Sequence, residues 1–557
     1  MSMLNIGATA LTATQSALST TSHNISNINT DGYNRQRAEF GTHEPDFNGS
    51  HYIGSGVQVE TVKRLFDNFL ATQVRTFTSQ ESQADTILNY ARQIDDLLGS
   101  DALSLSSGLE GFFNAVHEVA NDPTSISTRQ VLLTQAEILA TRFNTLSQQL
   151  DGFKEQVDNN LTTNVTDVNN LSQGIAELNQ SILEASSGNT VPPNDLLDKR
   201  DKLITDLSSL VSVTTVPDSN GSIGVFVGNG QALVLGSSSI NLSIIPNPVD
   251  PTINDIGYGP TNINVTNQIA GGSLGGLLAV RSDIILASQA ELDTLAASIT
   301  TTMNEQHRKG ITLTGALGAD MFLPAASGAG SIRLAITDPR DLAVAFPVAT
   351  TTSVLNTGSG QIEIDSIDGV PPLTLPYLAA NVSLTFNSTT NQYTVADGTD
   401  TATFAYDPSS QSGLQVDLGA LTAAWTTPVE LTIKASGVPA NADVITLGNS
   451  AAVGDNRNAL ALAELQTTKI LNGATQTFGG AYGVLVANVA TRTNQADIGQ
   501  QTQQGLLDQT VLRYESVSGV NLDEEAANLI KFQQSYQAAA QIITVSNTVF
   551  NALINAV

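Results

Sequence analysis

The sequence predicts an α+β multidomain protein in which both chain ends form an elongated α-helical stalk and β-rich outer domains are inserted between them. Three observations lead to this prediction. Near both ends, apolar residues recur every three or four positions, as in helices that pack along one side. In the middle of the chain, apolar and polar residues alternate over short segments, as in half-buried strands. The length of 557 residues is several times that of one domain.

The two extreme ends carry apolar residues that repeat every seven positions, the spacing typical of coiled-coil helices. We call these residues the apolar stripe: Leu4, Leu11, Leu18, Ile25, Leu522, Leu529, Tyr536, Ile543 and Phe550. Val557 continues the same spacing. The stripe predicts narrow amphipathic helices, each with one apolar side that packs on other helices as in a coiled coil. An ordinary bundle within one chain is the alternative interpretation.

A long helical region follows the first end. From Leu132 to Ile182 the apolar residues keep a spacing of three and four, which predicts one coiled-coil-like helix of about fifty residues and roughly 75 Å. Shorter helices are predicted at residues 66–99, 194–210 and 274–310.

Alternating segments predict the β-rich parts. Residues 223–227 lead into Asn229-Gly230, a dipeptide typical of a β-hairpin turn. Further alternation at 362–364, 382–386 and 429–433 predicts a second β-rich insertion. The expected domains are the terminal helices, 1–35 with 520–557; the stalk, 36–210 with 274–310 and 450–519; one outer domain, 211–273 with 311–345; and a second inserted module, 346–449.

Composition narrows the classes of function. With 23 Lys and Arg against 52 Asp and Glu, the formal net charge is −29, so phosphate backbones and anionic membrane surfaces would repel the chain. There is no cysteine, which excludes disulfides and thiolate chemistry. The sequence offers no conventional signal peptide and no apolar run of membrane-spanning length. We therefore expect neither a nucleic-acid partner nor a membrane partner.

Candidate catalytic and metal-binding residues are weak. His43-Glu44 begins like a zinc-protease motif, but Phe47 stands where the second histidine belongs and Pro45 would break the helix. Paired carboxylates such as Asp365 with Asp368, or Glu524 with Glu525, are expected by chance in so acidic a chain. Trp425 is the only tryptophan, so no stacking surface for sugars is predicted. We expect no enzyme activity, no catalytic residue, no cofactor and no metal.

Several segments resemble known proteins. Residues 23–36, HNISNINTDGYNRQ, resemble the signature shared by flagellar rod, hook and hook-associated proteins, although Asp31 replaces the expected proline. Residues 518–530, SGVNLDEEAANLI, with 532–540, FQQSYQAAA, look like the C-terminal segment of these axial proteins. Further segments resemble the FlgK family of hook-associated proteins: GSGV at 54–57 with Arg64 and Asp67, NDLLDKRD at 194–201, GGSLGGLL at 271–278, NEQHR at 304–308, and GDNRN at 454–458.

The resemblance implies a structural subunit that forms the junction layer between flagellar hook and filament. It further implies export through the flagellar type III apparatus, an extracellular location at the distal end of the hook, and terminal helices that line the central channel. In such a subunit the apolar stripe is the expected polymer interface, through which the terminal helices pack on neighbouring subunits. The implied partners are identical subunits, the hook protein, the second junction protein FlgL, and an export chaperone, FlgN, on residues 522–557. Two alternatives stay open: another axial subunit such as FlgL or the hook protein, and a stalk that displays a glycan-binding or enzymatic β module.

Overall fold

The computed structural model describes residues 3–47, 52–186, 193–368, 373–450 and 454–554. The chain divides into two compact units. The first comprises residues 1–92, 153–284 and 492–557, and the second comprises residues 93–152 and 285–491. Val557, the last position of the seven-residue spacing, lies outside the described residues.

Long helices dominate both ends of the chain, as the apolar spacing predicts. The region from Leu132 to Ile182 is part of one helix of 61 residues, about 90 Å long. The described helices are α1 (Met3–Ser26), α2 (Asn68–Gly99), α3 (Leu105–Asn121), α4 (Ile126–Ser186), α5 (Asn194–Leu210), α6 (Gly272–Ala279), α7 (Ala287–His307), α8 (Leu418–Leu421), α9 (Arg457–Glu464), α10 (Leu471–Ala474), α11 (Phe478–Ser518) and α12 (Leu522–Ile554). A π-helical segment, Val280–Leu286, joins α6 to α7.

Short strands occupy the regions where the alternation predicts them, together with a hairpin near the first end. They are β1 (Gln36–Thr42), β2 (Asp46–Phe47), β3 (Tyr52–Ile53), β4 (Val57–Arg64), β5 (Val213–Pro217), β6 (Ile223–Val227), β7 (Gln231–Leu235), β8 (Ser238–Ser239), β9 (Leu242–Pro246), β10 (Asn254–Tyr258), β11 (Ile263–Asn264), β12 (Phe322–Leu323), β13 (Arg333–Leu334), β14 (Val348–Thr352), β15 (Gln361–Ile367), β16 (Val382–Asn387), β17 (Gln392–Ala396), β18 (Thr401–Ala405), β19 (Leu414–Asp417), β20 (Leu431–Ser436) and β21 (Val444–Asn449). The turn at Asn229-Gly230 joins β6 to β7, as predicted.

In the first unit, the C-terminal part of α4 carries two small sheets. The sheet β5-β6-β7-β8 and the sheet β9-β10-β11 are both antiparallel. Two asparagines of α4 bind them: Asn179 Nδ2 donates to Ile223 O at 2.9 Å, and Asn169 Nδ2 donates to Leu242 O at 2.9 Å. These amides satisfy strand carbonyls that the helix would otherwise leave buried and unpaired. The adjoining core residues of α4 are Val157, Leu161, Val165, Val168 and Ile175.

In the second unit, α7 holds the irregular segment 311–345. The fully buried His307 bridges two parts of that segment, because its Nδ1 lies 2.6 Å from Ala319 O and its Nε2 accepts the Ala343 amide at 2.8 Å. The distance to the Ala319 carbonyl places a proton on Nδ1 and leaves Nε2 as the acceptor. Asn304 adds a bond from its Nδ2 to Phe322 O at 2.8 Å.

These bonds explain one difference from the expected domains. Residues 211–273 and 311–345 were expected to share one outer domain, but the first segment belongs to the first unit and the second segment to the second unit. The first segment packs on α4, whereas α7 holds the other through His307. Such long-range side-chain bonds leave no periodic trace in a sequence. The remaining domain boundaries stay predictions.

The predicted β-rich module is a two-sheet structure with its own core. One sheet has the order β14-β21-β16-β17-β18, and the other has the order β15-β20-β19. Their inner faces enclose a continuous apolar cluster that includes Leu384, Tyr393 and Ile433. Trp425 is buried in this cluster. Asp443 closes one end, where its carboxylate accepts the backbone amides of Thr357, Gly358 and Ala440.

Candidate assembly site

The helices α1 and α12, from opposite ends of the chain, pack against each other in the first unit. We call the residues buried between them, and against the neighbouring β1–β4 hairpin, the seam. The seam is made of small and polar side chains: Gly7, Ala13, Thr14, Ala17, Thr21 and Asn24 from α1, and Glu525, Ala539 and Ser546 from α12. Small residues let two helix backbones approach closely. At Gly7 the missing side chain makes room for Ile542 and Ile543 of α12, so small residues of α1 receive large apolar residues of the partner helix.

The apolar stripe lies beside the seam. Leu11, Leu18, Ile25, Leu529, Tyr536 and Ile543 are half-buried, whereas Leu4, Leu522 and Phe550 are exposed. Sequence reasoning missed further exposed apolar residues on α12: Ile530, Ile542, Val545, Val549 and Ile554. They fall outside the seven-residue repeat, and only the position of the seam reveals that they face outward. One copy of the chain thus leaves much of the apolar surface of its terminal helices uncovered.

Many hydroxyl groups of the two helices bond within their own helix. In α1, Thr12 Oγ1 donates to Ala8 O at 3.1 Å and Thr20 Oγ1 donates to Ser16 O at 2.9 Å. In α12, Thr548 Oγ1 donates to Thr544 O at 2.9 Å. Such bonds leave the helix surface polar but with few unused donors.

A polar network ties the start of α12 to the segment that follows α1. Arg35 Nε donates to Glu525 Oε1 at 2.6 Å, and Arg35 NH1 donates to Glu524 Oε2 at 2.8 Å. Asn24 Nδ2 donates to Glu525 Oε2 at 3.1 Å and to Gln36 O at 2.8 Å. The Glu525 side chain is only 2% exposed, whereas that of Glu524 is 59% exposed. The buried carboxylate is therefore fully engaged by the first signature segment.

A second part of the network joins this segment to α5 and the hairpin. Asp198 accepts the backbone amide of Asn34 at 3.0 Å and the Asn34 side-chain amide at 2.6 Å. Arg64 NH1 bridges Asp198 Oδ1 at 2.9 Å and Asp201 Oδ2 at 2.7 Å. Arg75 of α2 completes the chain of charges, because its NH2 donates to Asp201 at 3.1 Å.

The electrostatics of the network agree with these contacts. The hydrogen bond to Glu524 raises the pKa of Arg35, and the same bond lowers the pKa of Glu524. Burial raises the pKa of the Tyr33 hydroxyl, with smaller contributions from Asp195 and Asp198. Burial lowers the pKa of Arg75, partly offset by the charge of Asp201.

The network unites motifs that are far apart in the chain. Residues 23–36, 194–201 and 518–525, together with Arg64, meet at one place. Sequence comparison marked each as a resemblance, but no spacing argument predicted their contact. Arg75 was missed altogether. The only feature of the sequence that could have indicated its role is that it is a positively charged residue within the amphipathic helix α2.

The residues considered for catalysis have structural partners. Asp365 accepts a bond from Gln415 at 2.8 Å, and Asp368 accepts one from Thr432 at 2.7 Å. Across the described ranges, no three His, Asp or Glu side chains lie close enough together to hold a metal ion. Nor does any helix in the described part of the chain combine the length and apolar character needed to cross a membrane.

Three family models match the chain. Residues 91–322 match the flagellar hook-associated protein FlgK helical domain. Residues 4–34 match the flagella basal body rod protein model, and residues 513–556 match the flagellar basal body rod FlgEFG protein C-terminal model. The last two matches cover α1 and α12.

Relatives match over the whole length. Flagellar hook-associated protein 1 of Salmonella typhimurium is 32% identical over 580 residues, which cover 100% of this chain and 99% of the relative. The protein of the same name from Escherichia coli K12 is 30% identical over 571 residues, with the same coverage. The solved structure of the flagellar hook junction protein FlgK from Burkholderia pseudomallei shares the fold, with a TM-score of 0.70, 24% identity, and coverage of 80% of this chain and 100% of that one. The chain therefore belongs to the FlgK family, that of flagellar hook-associated protein 1, and is a structural subunit of the flagellar axis.

Proposed function

We propose that this chain forms the layer of identical subunits that joins the flagellar hook to the filament, and that it assembles through the apolar sides of α1 and α12. The observation that carries the proposal is the position of the apolar stripe. Large apolar residues such as Phe550 and Leu522 stay exposed in one copy, while small residues fill the seam.

The free energy of burying apolar side chains favours contact between these residues and neighbouring subunits. Burying one large apolar side chain contributes about 1.5–3 kcal/mol, and α12 alone exposes several. Exposed apolar patches of this kind mark interaction sites in soluble proteins. In a helical layer, each subunit would present its stripe to the next.

The position at the hook tip defines the remaining partners. The layer would contact the hook protein on one side and the second junction protein FlgL on the other. Before assembly, the chaperone FlgN would cover residues 522–557, and the chain would leave the cell through the flagellar type III apparatus. These partners rest on the resemblance to the flagellar hook-associated proteins.

Complementation of a strain that lacks the gene tests the proposal. The strain should shed flagellin and carry bare hooks, and the wild-type chain should restore filaments. Ile543→Asp and Leu529→Asp should each be secreted with the second unit folded, yet fail to join the hook, because a charge in an apolar contact is costly to bury. Gln534→Asp, at an exposed polar position of the same helix, is the matched control and should assemble normally. Intact filaments without the gene would contradict the junction role, and normal motility with either stripe variant would contradict the assembly surface.

A further inference from the structure

A groove runs along α1 on the side of that helix away from α12. It has a volume of about 450 Å³, and its walls are α1 and strand β4 of the neighbouring hairpin. We call it the hairpin groove, and its lining includes Ala8, Thr9, Thr12, Ser16, Val57 and Val59. Thr12 and Ser16 lie roughly 140–180° around the helix from Gly7, which faces α12. The α12 helix of the same copy therefore cannot fill the groove.

The hairpin groove has an apolar surface although three of its residues carry hydroxyl groups. Thr9 Oγ1 donates to Ile6 O at 3.0 Å. Ser16 Oγ donates to Thr12 O at 3.2 Å, and the Thr12 hydroxyl is bonded within the helix in the same way. An apolar side chain can therefore enter the groove without leaving any of these three donors unpaired.

The two walls of the groove are held at a fixed distance. Gly56, just before β4, passes so close to Thr9 that a side chain there would collide with the Thr9 hydroxyl. Its φ of 110° lies in the region that favours glycine. The Gly56 carbonyl also accepts the His43 amide at 3.1 Å, which joins the ends of β4 and β1. Because the groove is already formed in one copy, little conformational entropy is lost when it is occupied.

The helix α12 carries an exposed apolar surface beside the seam. Ile542, Val545 and Val549 are 38%, 53% and 52% exposed, and their spacing of three and four residues places them on one side of the helix. We call these three residues the apolar flank. On the other side of the seam, α12 has a polar flank of exposed residues, Gln537, Thr544 and Thr548.

The hairpin groove and the apolar flank are both uncharged, although the chain is strongly acidic. From Phe532 to Val557 the sequence has no Asp, Glu, Lys or Arg, and none of the described residues that line the groove is one of these. Copies with a formal net charge of −29 repel each other wherever their acidic surfaces meet. Two copies can approach through the groove and the flank without that repulsion.

We propose that the apolar flank of one copy docks in the hairpin groove of the next copy. The three aliphatic side chains of the flank fill a groove lined by small residues and valines, as knobs fill the holes between packed helices. Because the flank and the groove are different surfaces of each copy, the contact repeats from subunit to subunit, as a layer of identical subunits requires. The inference rests on the proposed function and names the surface that α12 meets in the neighbouring subunit.

Disulfide scanning tests the docking, because the natural chain has no cysteine and a disulfide forms only when two Cα atoms lie within about 7 Å. In a strain without the native gene, one tagged copy carries Thr12→Cys and a second copy carries cysteine at one position of the apolar flank. Isolated hook–junction structures are then oxidised. A covalent dimer of the two copies is expected from at least one position of the apolar flank. Cysteine at each position of the polar flank is the matched control and should give no dimer.

The outcomes separate the docking from the proposed function. If both copies are present in the layer and no position of the apolar flank gives a dimer, the docking is wrong and the proposed function stands. Equal yields from the two flanks would overturn the docking as well, and so would a dimer between two copies that both carry Val545→Cys. Absence of the wild-type chain from the hook would refute the proposed function instead.

Filling the groove provides a second test. Thr12 and Ser19 are exposed residues on the same side of α1, seven positions apart, but only Thr12 lines the groove. Thr12→Leu should lower recovery of the secreted chain in isolated hook–junction structures by at least about tenfold, as for the loss of a central contact, whereas Ser19→Leu should not. Val545→Asn should match Thr12→Leu, and Thr544→Asn, on the polar flank, should match the wild-type chain. Equal recovery of the two leucine variants would refute the docking.

Discussion

Replacing Glu525 with glutamine should weaken the attachment of α12 far more than the same replacement at Glu524. Both carboxylates bind Arg35, but Glu525 is buried and also accepts a bond from Asn24, whereas Glu524 is exposed and, among the described residues, accepts from Arg35 alone. Glutamine at position 525 keeps one oxygen, so its amide group must face a donor of either Arg35 or Asn24. The two variants thus remove one unit of charge each and differ mainly in burial.

The magnitude follows from these contacts. Breaking a buried ion pair costs about 3–5 kcal/mol, and the bond that Arg35 keeps with Glu524 reduces the loss for Glu525→Gln to roughly 2–3 kcal/mol. An exposed pair contributes about 0–1 kcal/mol, which bounds the loss for Glu524→Gln. Because each 1.4 kcal/mol is a factor of ten, Glu525→Gln should reduce the assembly-competent fraction by about 30-fold or more, and Glu524→Gln by about fivefold at most.

The assay is complementation of the deletion strain. The amount of chain in isolated hook–junction structures is divided by the amount secreted into the medium, so that export and degradation cancel. Trp425 fluorescence of the purified chain should be the same for both variants, because that residue lies in the β module. Equal assembly ratios for the two variants would refute the reasoning that burial of Glu525 makes its ion pair important.

Three further predictions concern the second unit. Burial lowers the pKa of His307 to about 4. As the pH falls below 6.5, the unfolded chain therefore binds the proton before the folded unit does, and the unit should lose roughly 3 kcal/mol of stability by pH 4. Calorimetry should find that this pH dependence is absent in His307→Gln. Asp443→Ala leaves three backbone amides without their acceptor, so it should lower the denaturant midpoint reported by Trp425 fluorescence by the equivalent of about 3 kcal/mol. The control Asp407→Ala, on the surface, should shift the midpoint far less. Equal shifts for the two variants would contradict the prediction. Deleting residues 351–445 with a short linker should leave secretion and hook attachment intact, since β14 and β21 are paired at the cut and the ends are adjacent; bare hooks would show that the module is needed for assembly.

The sequence predicts the helices better than their contacts. Spacing of three and four identifies α4 because one side of that helix is buried along most of its length. The same reasoning identifies α1 and α12 but points to their largest apolar residues, while the seam uses Gly7, Thr14 and Thr21. These three residues also recur every seven positions. A search for apolar residues does not find this repeat, because its members are small or polar.

The polar network could be predicted only as separate motifs. Arg35 and Glu525 are 490 residues apart, and nothing local in either segment specifies the other. Resemblance to a family marked both positions without their partnership.

The sequence separation of the network has a consequence for the time course of folding. Asn24 and Arg35 cannot form their bonds to Glu525 until that residue has been synthesised. The same holds for Asn34, whose side-chain oxygen accepts a bond from the Tyr514 hydroxyl. At about 5–20 residues per second, a ribosome needs roughly 25–100 s to synthesise the intervening chain. During that interval the first unit cannot close, and the N-terminal segment leaves the ribosome without its final partners. The architecture itself therefore delays completion of the fold until synthesis has nearly ended, which keeps the chain open to handling by other factors.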